Sequence, residues 1–258
     1  MTDAGALADT LIDAASNRTG IRALTTTFGE FDIETGYAIQ DAVVAARSSQ
    51  GHEVVGAKLG LTSRAKQQQM NVDEPLYGWL TSDMVIDVGE PLNTSRYIQP
   101  RCEPEIAFLI GRDLAGAGVS AAHVLAATEA VFPAIDVLDS RYSGYSFTLA
   151  DVVADNASAA GYLLGGQATS PSGIDLALTG VVLEKNGSVV STATGAAALG
   201  HPAAAVAWMV RALAARGRGL KAGQVVLSGA LTEAIAVSAG DTVVARFNTL
   251  GSVELVCR

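Results

Sequence analysis

Glu103 and Glu105 stand two positions apart in the apolar segment PRCEPEIAFLI (100–110). On a strand that spacing puts both side chains on one face, with Cys102, Pro104 and Ile106 on the other. Two carboxylates held side by side repel and raise each other's pKa. A hard divalent cation such as Mg²⁺ or Mn²⁺ removes the conflict, and carboxylate oxygens suit it. A third acid, Asp136, lies in a second apolar run, AIDVLD (134–139). Lys58 sits between Gly56 and Gly60 in EVVGAKLGL (53–61), where it can offer a pocket a fixed positive charge or a proton. Without chemistry, the same residues would be an edge strand with solvated glutamates and a lysine reaching for solvent.

The chain of 258 residues is 49% hydrophobic and 17% charged, enough for a large core. Its net charge of −9 argues against nucleic acid as a partner, because phosphate binding needs a basic surface. No charge-free apolar run reaches the ~18 residues of a membrane span, so a soluble, cytoplasmic protein without a membrane partner is expected. Cys102 and Cys257 show neither metal nor redox spacing.

Helical spacing covers residues 2–16 and 35–50, with Gly51 as a cap and a connector over 17–31 holding a short helix or turn. At Glu53 the pattern turns β-rich. We therefore expect a helical N-terminal region over 1–52 and a catalytic domain over 53–258. A capped helical turn is expected over 62–70. Pro75, Tyr77 and Gly78 follow in a turn of the kind that forms pocket walls. Residues 84–88 read as a short strand. A helix capped by Ser120 is predicted to run over 121–132 and end at Pro133, with a strand following to Asp139. Arg141 has Asp139 as its nearest acid, a structural pairing. Asp155, Asn156 and Ser158 are residues that satisfy backbone groups in turns; near a metal they also serve as supporting or substrate-binding groups. Lys185-Asn186-Gly187 marks a hairpin within 174–192. His201 precedes a strong helix starting at Pro202, where it either caps or binds an anion. Two strands around 229–232 and a terminal hairpin complete an α+β pattern. No dinucleotide, P-loop or nucleophile-elbow motif occurs.

Five ordered blocks, GAKLGLTS (56–63), PLYGWL (75–80), EPEIAFLI (103–110), AIDVLDSRY (134–142) and VADNAS (153–158), resemble the 2-hydroxypentadienoate hydratase and 4-oxalocrotonate decarboxylase family of aromatic meta-cleavage degradation. The resemblance implies a fumarylacetoacetate hydrolase-like mixed β-sheet or β-roll core with flanking helices. It implies Mg²⁺ or Mn²⁺ held by Glu103, Glu105 and Asp136, although the family usually carries glutamate at that third position. Lys58 matches its active-site lysine, and Asp155 is a second catalytic candidate. Tyr77, Arg141, Asn156, Ser158 and Thr232 are candidate substrate contacts. Ser140-Arg141-Tyr142 with Tyr145 and Phe147, and His201, lie nearer the decarboxylase pattern, whereas VAWMV (206–210) leans to the hydratases. A decarboxylase would turn 2-oxohex-3-enedioate into 2-hydroxypenta-2,4-dienoate. A hydratase would add water to that dienoate, giving 4-hydroxy-2-oxopentanoate. A C–C bond hydrolase and a non-catalytic partner of a pathway enzyme are the remaining alternatives. The resemblance also implies a small 2-oxo dicarboxylate substrate and a complex with the pathway hydratase, and it leaves oligomerisation open.

Overall fold

The computed structural model describes residues 3–69 and 72–258, without the side chains of residues 65, 66 and 69. Thr2, Met70 and Asn71, which fall within expected segments, lie outside the described residues. Three helices come first: α1 (Ala4–Asn17), α2 (Leu24–Phe28) and α3 (Ile33–Ser49). Asp3 caps α1 by accepting from the Gly5 and Ala6 N–H groups, and Leu7, Ala8, Leu11 and Ala14 form its buried stripe. Then follow β1 (Val54–Gly60), α4 (Arg64–Gln69), β2 (Leu76–Thr81), β3 (Val85–Ile86), β4 (Arg101–Ile110), α5 (Ala121–Ala127), β5 (Thr128–Leu138), α6 (Leu149–Ala154) and β6 (Ala159–Leu164). The chain closes with β7 (Gly180–Lys185), β8 (Ser188–Thr194), α7 (Pro202–Ala215), β9 (Val225–Leu227), β10 (Ile235–Ala236), β11 (Thr242–Phe247) and β12 (Gly251–Val256).

Two sheets carry the strands. The larger has the order β2-β1-β9-β4-β5-β6-β3, with β10 also paired to β4. The smaller has the order β12-β11-β7-β8. The β7–β8 hairpin turns at Asn186 and Gly187, both with positive φ, as its sequence predicts. Helix α7 is apolar on most sides, and Val206, Met209, Val210 and Leu213 are fully buried. Helix α3 joins the core of the sheet, Tyr37 stacking on Tyr77 of β2 at 4.7 Å between ring centroids, whereas Leu7, Leu11 and Leu24 of α1 and α2 pack in a separate cluster with Ile39, Tyr142 and Ala154.

One predicted boundary is corrected. The helix expected over 121–132 stops at Ala127, and residues 128–138 form β5 instead. Val131 and Phe132 pair with Phe108 and Ala107 of β4, so sheet pairing overrides the helical period. Pro133 lies within β5. Its carbonyl accepts from Gly165, just past the end of β6, so its nitrogen faces the edge where that ladder stops. Pro104 occupies a comparable gap in β4. There the strand faces the loop between β9 and β10, and Leu231 donates to the Pro104 carbonyl at 3.0 Å.

Candidate active site

The β4–β5 register sets Glu103 opposite Asp136 and Glu105 opposite Ala134. Oxygens of Glu103, Glu105 and Asp136 all lie within 4.8 Å of one another, and all three residues are buried. Burial raises the Glu105 pKa well above the carboxylate range, and the neighbouring charges of Asp136 and Glu103 push it further. Lys58 and the Gly229 N–H act in the opposite direction. Gly229 donates to Glu105 Oε2 at 2.5 Å, while Glu105 Oε1 is buried and has no hydrogen-bond partner among the described residues. An oxygen of that kind is costly unless something binds it. A divalent cation fits here: the donors are all oxygen, they converge, and one is orphaned.

Lys58 reaches the cluster from β1 and donates to Asp136, with both side chains sealed from solvent. Its neighbours explain the glycines around it. A side chain at Gly56 would meet the Val225 carbonyl at 2.0 Å, and one at Gly78, opposite Lys58 on β2, would meet the Asn156 carbonyl at 2.5 Å. Lys58 and Glu103 border a pocket of about 370 Å³. Its other walls include Leu61, Leu138, Tyr145, Phe147 and Val152, with Ala157 and Ser158 at one side.

The sequence-derived candidates separate into two groups. Lys58, Glu103, Glu105, Asp136 and Ser158 come together at this pocket. The others support or flank it. Arg141 pairs with the buried Asp155, not with Asp139, whose carboxylate already accepts from the Ile98 and Gln99 N–H groups. Asp155 also accepts from the Ser140 and Ser158 hydroxyls at 3.3 and 3.2 Å, so it holds Ser158 from behind. Burial raises the Asp155 pKa to about 6, with Arg141 opposing the shift. Asn156 bonds both the N–H and the carbonyl of Trp79 at 2.8 Å, as a strand neighbour would. Asn156, Ala157 and Ser158 all have positive φ, an αL run that folds the turn against Gly78. Tyr77 projects to the other face of β2, between Tyr37 and Trp79, and does not line the pocket. The Thr232 hydroxyl donates to the Glu233 carbonyl beside the pocket rim. His201 caps α7, its Nδ1 accepting from the Ala203 N–H at 3.0 Å. Sequence reasoning missed Arg101, which lines the pocket. The signal was present, since position 101 shares a strand face with 103 and 105.

The family model "Fumarylacetoacetate (FAA) hydrolase C-terminal" matches residues 43–256. The chain belongs to the fumarylacetoacetate hydrolase family. Within it, the protein is 40% identical to a 4-oxalocrotonate decarboxylase of Pseudomonas sp. (strain CF600), over 96% of this chain and 94% of the relative. It is 42% identical to a 2-keto-4-pentenoate hydratase of Paraburkholderia xenovorans (strain LB400), over 96% and 92%. The solved structure of the 4-oxalocrotonate decarboxylase from Pseudomonas putida G7, complexed with magnesium and adipate, superposes with a TM-score of 0.96. It is 38% identical, over 99% of this chain and 97% of that one.

Proposed function

We propose that the protein is a Mg²⁺- or Mn²⁺-dependent decarboxylase that converts 2-oxohex-3-enedioate (4-oxalocrotonate) to 2-hydroxypenta-2,4-dienoate and CO₂. The observation that carries this reading is the buried Glu103–Glu105–Asp136 cluster with Lys58 beside it at an apolar-walled pocket. Similarity to magnesium-complexed 4-oxalocrotonate decarboxylase supports it. Glu103, Glu105 and Asp136 would hold the ion, which when bound supplies Lewis-acid polarisation of the substrate's C2 oxygen. Lys58 places an ammonium where negative charge builds on that oxygen as CO₂ leaves, and it delivers the proton that completes the enol. Leu138, Phe147 and Val152 withhold water from the departing carboxylate. Asp155 and Arg141 act through Ser158 and the turn, as positioning residues.

The hydratase reading stands second, because a hydratase-named relative is equally similar. Purified, chelator-stripped protein is incubated with 2-oxohex-3-enedioate with and without Mg²⁺. Metal-dependent CO₂ release is expected. No CO₂, with metal-dependent conversion of 2-hydroxypentadienoate to 4-hydroxy-2-oxopentanoate, would establish the hydratase instead. Association with a pathway hydratase, or with itself, is a further part of the proposal; size-exclusion chromatography of the protein alone and mixed with that enzyme tests it.

A further inference from the structure

Arg101 opens β4 two residues before Glu103, on the same face of the strand. Its backbone is held on both sides, by Leu138 of β5 and Ala236 of β10. Its side chain lies at the pocket wall with the guanidinium 4.0 Å from the centre of the Tyr145 ring. Stacking of this kind fixes the plane of the group and leaves its N–H edge open. Arg101 is half-buried, yet among the described residues it forms no ion pair, and no group accepts a hydrogen bond from its guanidinium. Glu233, which also lines the pocket, is exposed and makes no ion pair with it among the described residues. The other arginines that bear on the site or its supports, Arg47 and Arg141, are spent on Asp83 and Asp155. Five donors, aimed by an aromatic platform and unclaimed by the fold, describe half of a carboxylate clamp.

The spacing suits a particular ligand. Two residues of strand advance about 6.8 Å, which is comparable to the distance between the end carbons of an extended six-carbon diacid. A substrate with one end at the Glu103–Glu105–Asp136 cluster therefore brings its other end to Arg101.

We propose that Arg101, braced on Tyr145, determines specificity by holding the far carboxylate of the substrate, the one lost as CO₂. This rests on the decarboxylase reading above. The held charge disappears as the C–C bond breaks: its electron pair passes along the double bonds to the C2 oxygen, and the carboxyl carbon leaves as neutral CO₂. Arg101 thus binds the ground state better than the transition state, and it serves selection more than rate. The product lacks the group that Arg101 holds and is released more readily than the substrate.

The test is calorimetric titration of Mg²⁺-loaded protein with adipate and with hexanoate, which differ only in the far carboxylate. The wild type is expected to prefer adipate tenfold or more. Arg101→Gln is expected to lose that preference, with adipate weakened about tenfold to a hundredfold and hexanoate unchanged. In turnover its KM for 2-oxohex-3-enedioate rises and kcat does not fall, as loss of a group that favours the ground state requires. Should that variant not fold, Tyr145→Leu keeps the guanidinium without its platform and is expected to weaken adipate alone, about threefold. An undiminished preference in Arg101→Gln, or equal loss of both ligands, overturns the proposal. CO₂ release by the wild type is followed in parallel. Its absence would sink the decarboxylase reading, whereas its presence with an unchanged preference would sink only the role of Arg101.

Discussion

Lys58 and Asp136 are 78 positions apart in the chain and meet in an ion pair closed to solvent. Their strands, β1 and β5, are separated in the sheet by β9 and β4. In a flat sheet three strand spacings are about 14 Å, farther than a lysine side chain reaches. The contact therefore requires the sheet to curl, and the hollow of that curl is the pocket. The pair is at once a part of the site and a measure of its curvature.

Replacing Lys58 by methionine keeps most of the side chain's volume and removes its charge. The buried Lys58–Asp136 pair is then broken, and removing one partner of such a pair costs about 3–5 kcal/mol. Urea denaturation of the metal-free protein reads that loss. Turnover of 2-oxohex-3-enedioate is expected to fall about 10²- to 10⁴-fold, the range of a lost proton donor. Wild-type turnover in the methionine variant would remove Lys58 from the mechanism.

Glu105→Gln separates holding a metal from holding the fold. The variant relieves repulsion among three clustered carboxylates, and glutamine can still accept from the Gly229 N–H. Its metal-free form should melt at a higher temperature than the wild type. Its affinity for Mg²⁺ should fall by at least the 10- to 100-fold typical of disturbing a supporting group, and activity should fall with it. Full Mg²⁺ affinity in this variant would mean that the cluster is not a metal site.

The turn over 156–158 depends on Gly78 and Asn156 together. A methyl group at Gly78 would press on the Asn156 carbonyl, and Asn156→Ala would strand the buried N–H and carbonyl of Trp79. Each change is expected to cost about 1–3 kcal/mol, read by thermal melting. Ala157 and Ser158 line the pocket, so KM should rise as well.

Asp155 provides a pH test. Its folded pKa, about 6, lies above the ordinary 3.8. Between these values the folded protein holds a proton that the unfolded chain has released. The contribution of this group to stability is therefore full below pH 3.8 and declines as pH rises through 6. Asp155→Asn lacks this dependence, while every other carboxylate titrates in both proteins. The stability deficit of the variant relative to wild type is expected to shrink between pH 4 and pH 7. A deficit that grows instead would show that Arg141 outweighs burial at this site.

Legibility in the sequence followed the range of the interaction. The shared face of Glu103 and Glu105 is a property of one strand, and a period of two exposes it. That Asp136 stands opposite Glu103 depends on the register between two strands, which no local pattern states. Pro133 misled for a related reason: proline ends helices, but here it sits where a ladder stops, a fact that depends on where β6 ends. Arg141 has Asp139 as its sequence neighbour, yet Asp139 is taken by the 98–99 backbone and the partner comes from α6's far end. Pro75, Tyr77 and Gly78 read as a turn at the pocket wall, but residues 76–81 form strand β2, whose alternation sends Tyr77 to the opposite face. Family resemblance supplied what periodicity could not, namely which of several acids and lysines belong together.

Strand β9 is only three residues long, yet it joins β1 on one side to β4 on the other. Both partners are distant in the chain, so a long loop must close before either pairing forms. Until then Lys58 lacks the strand that ties it to the carboxylates within the sheet, and the Asn156–Trp79 bonds bridge the two from outside it. A nascent chain lacking its C-terminal quarter would have every ligand but not the strand that closes the sheet around them. Such topology slows folding, and it lets a bound ion recognise only the finished molecule. Mg²⁺ at a hundred times its dissociation constant would then add about 2.7 kcal/mol to the native state. In the cell, the supply of the ion would govern how much of the enzyme persists as well as how fast it works.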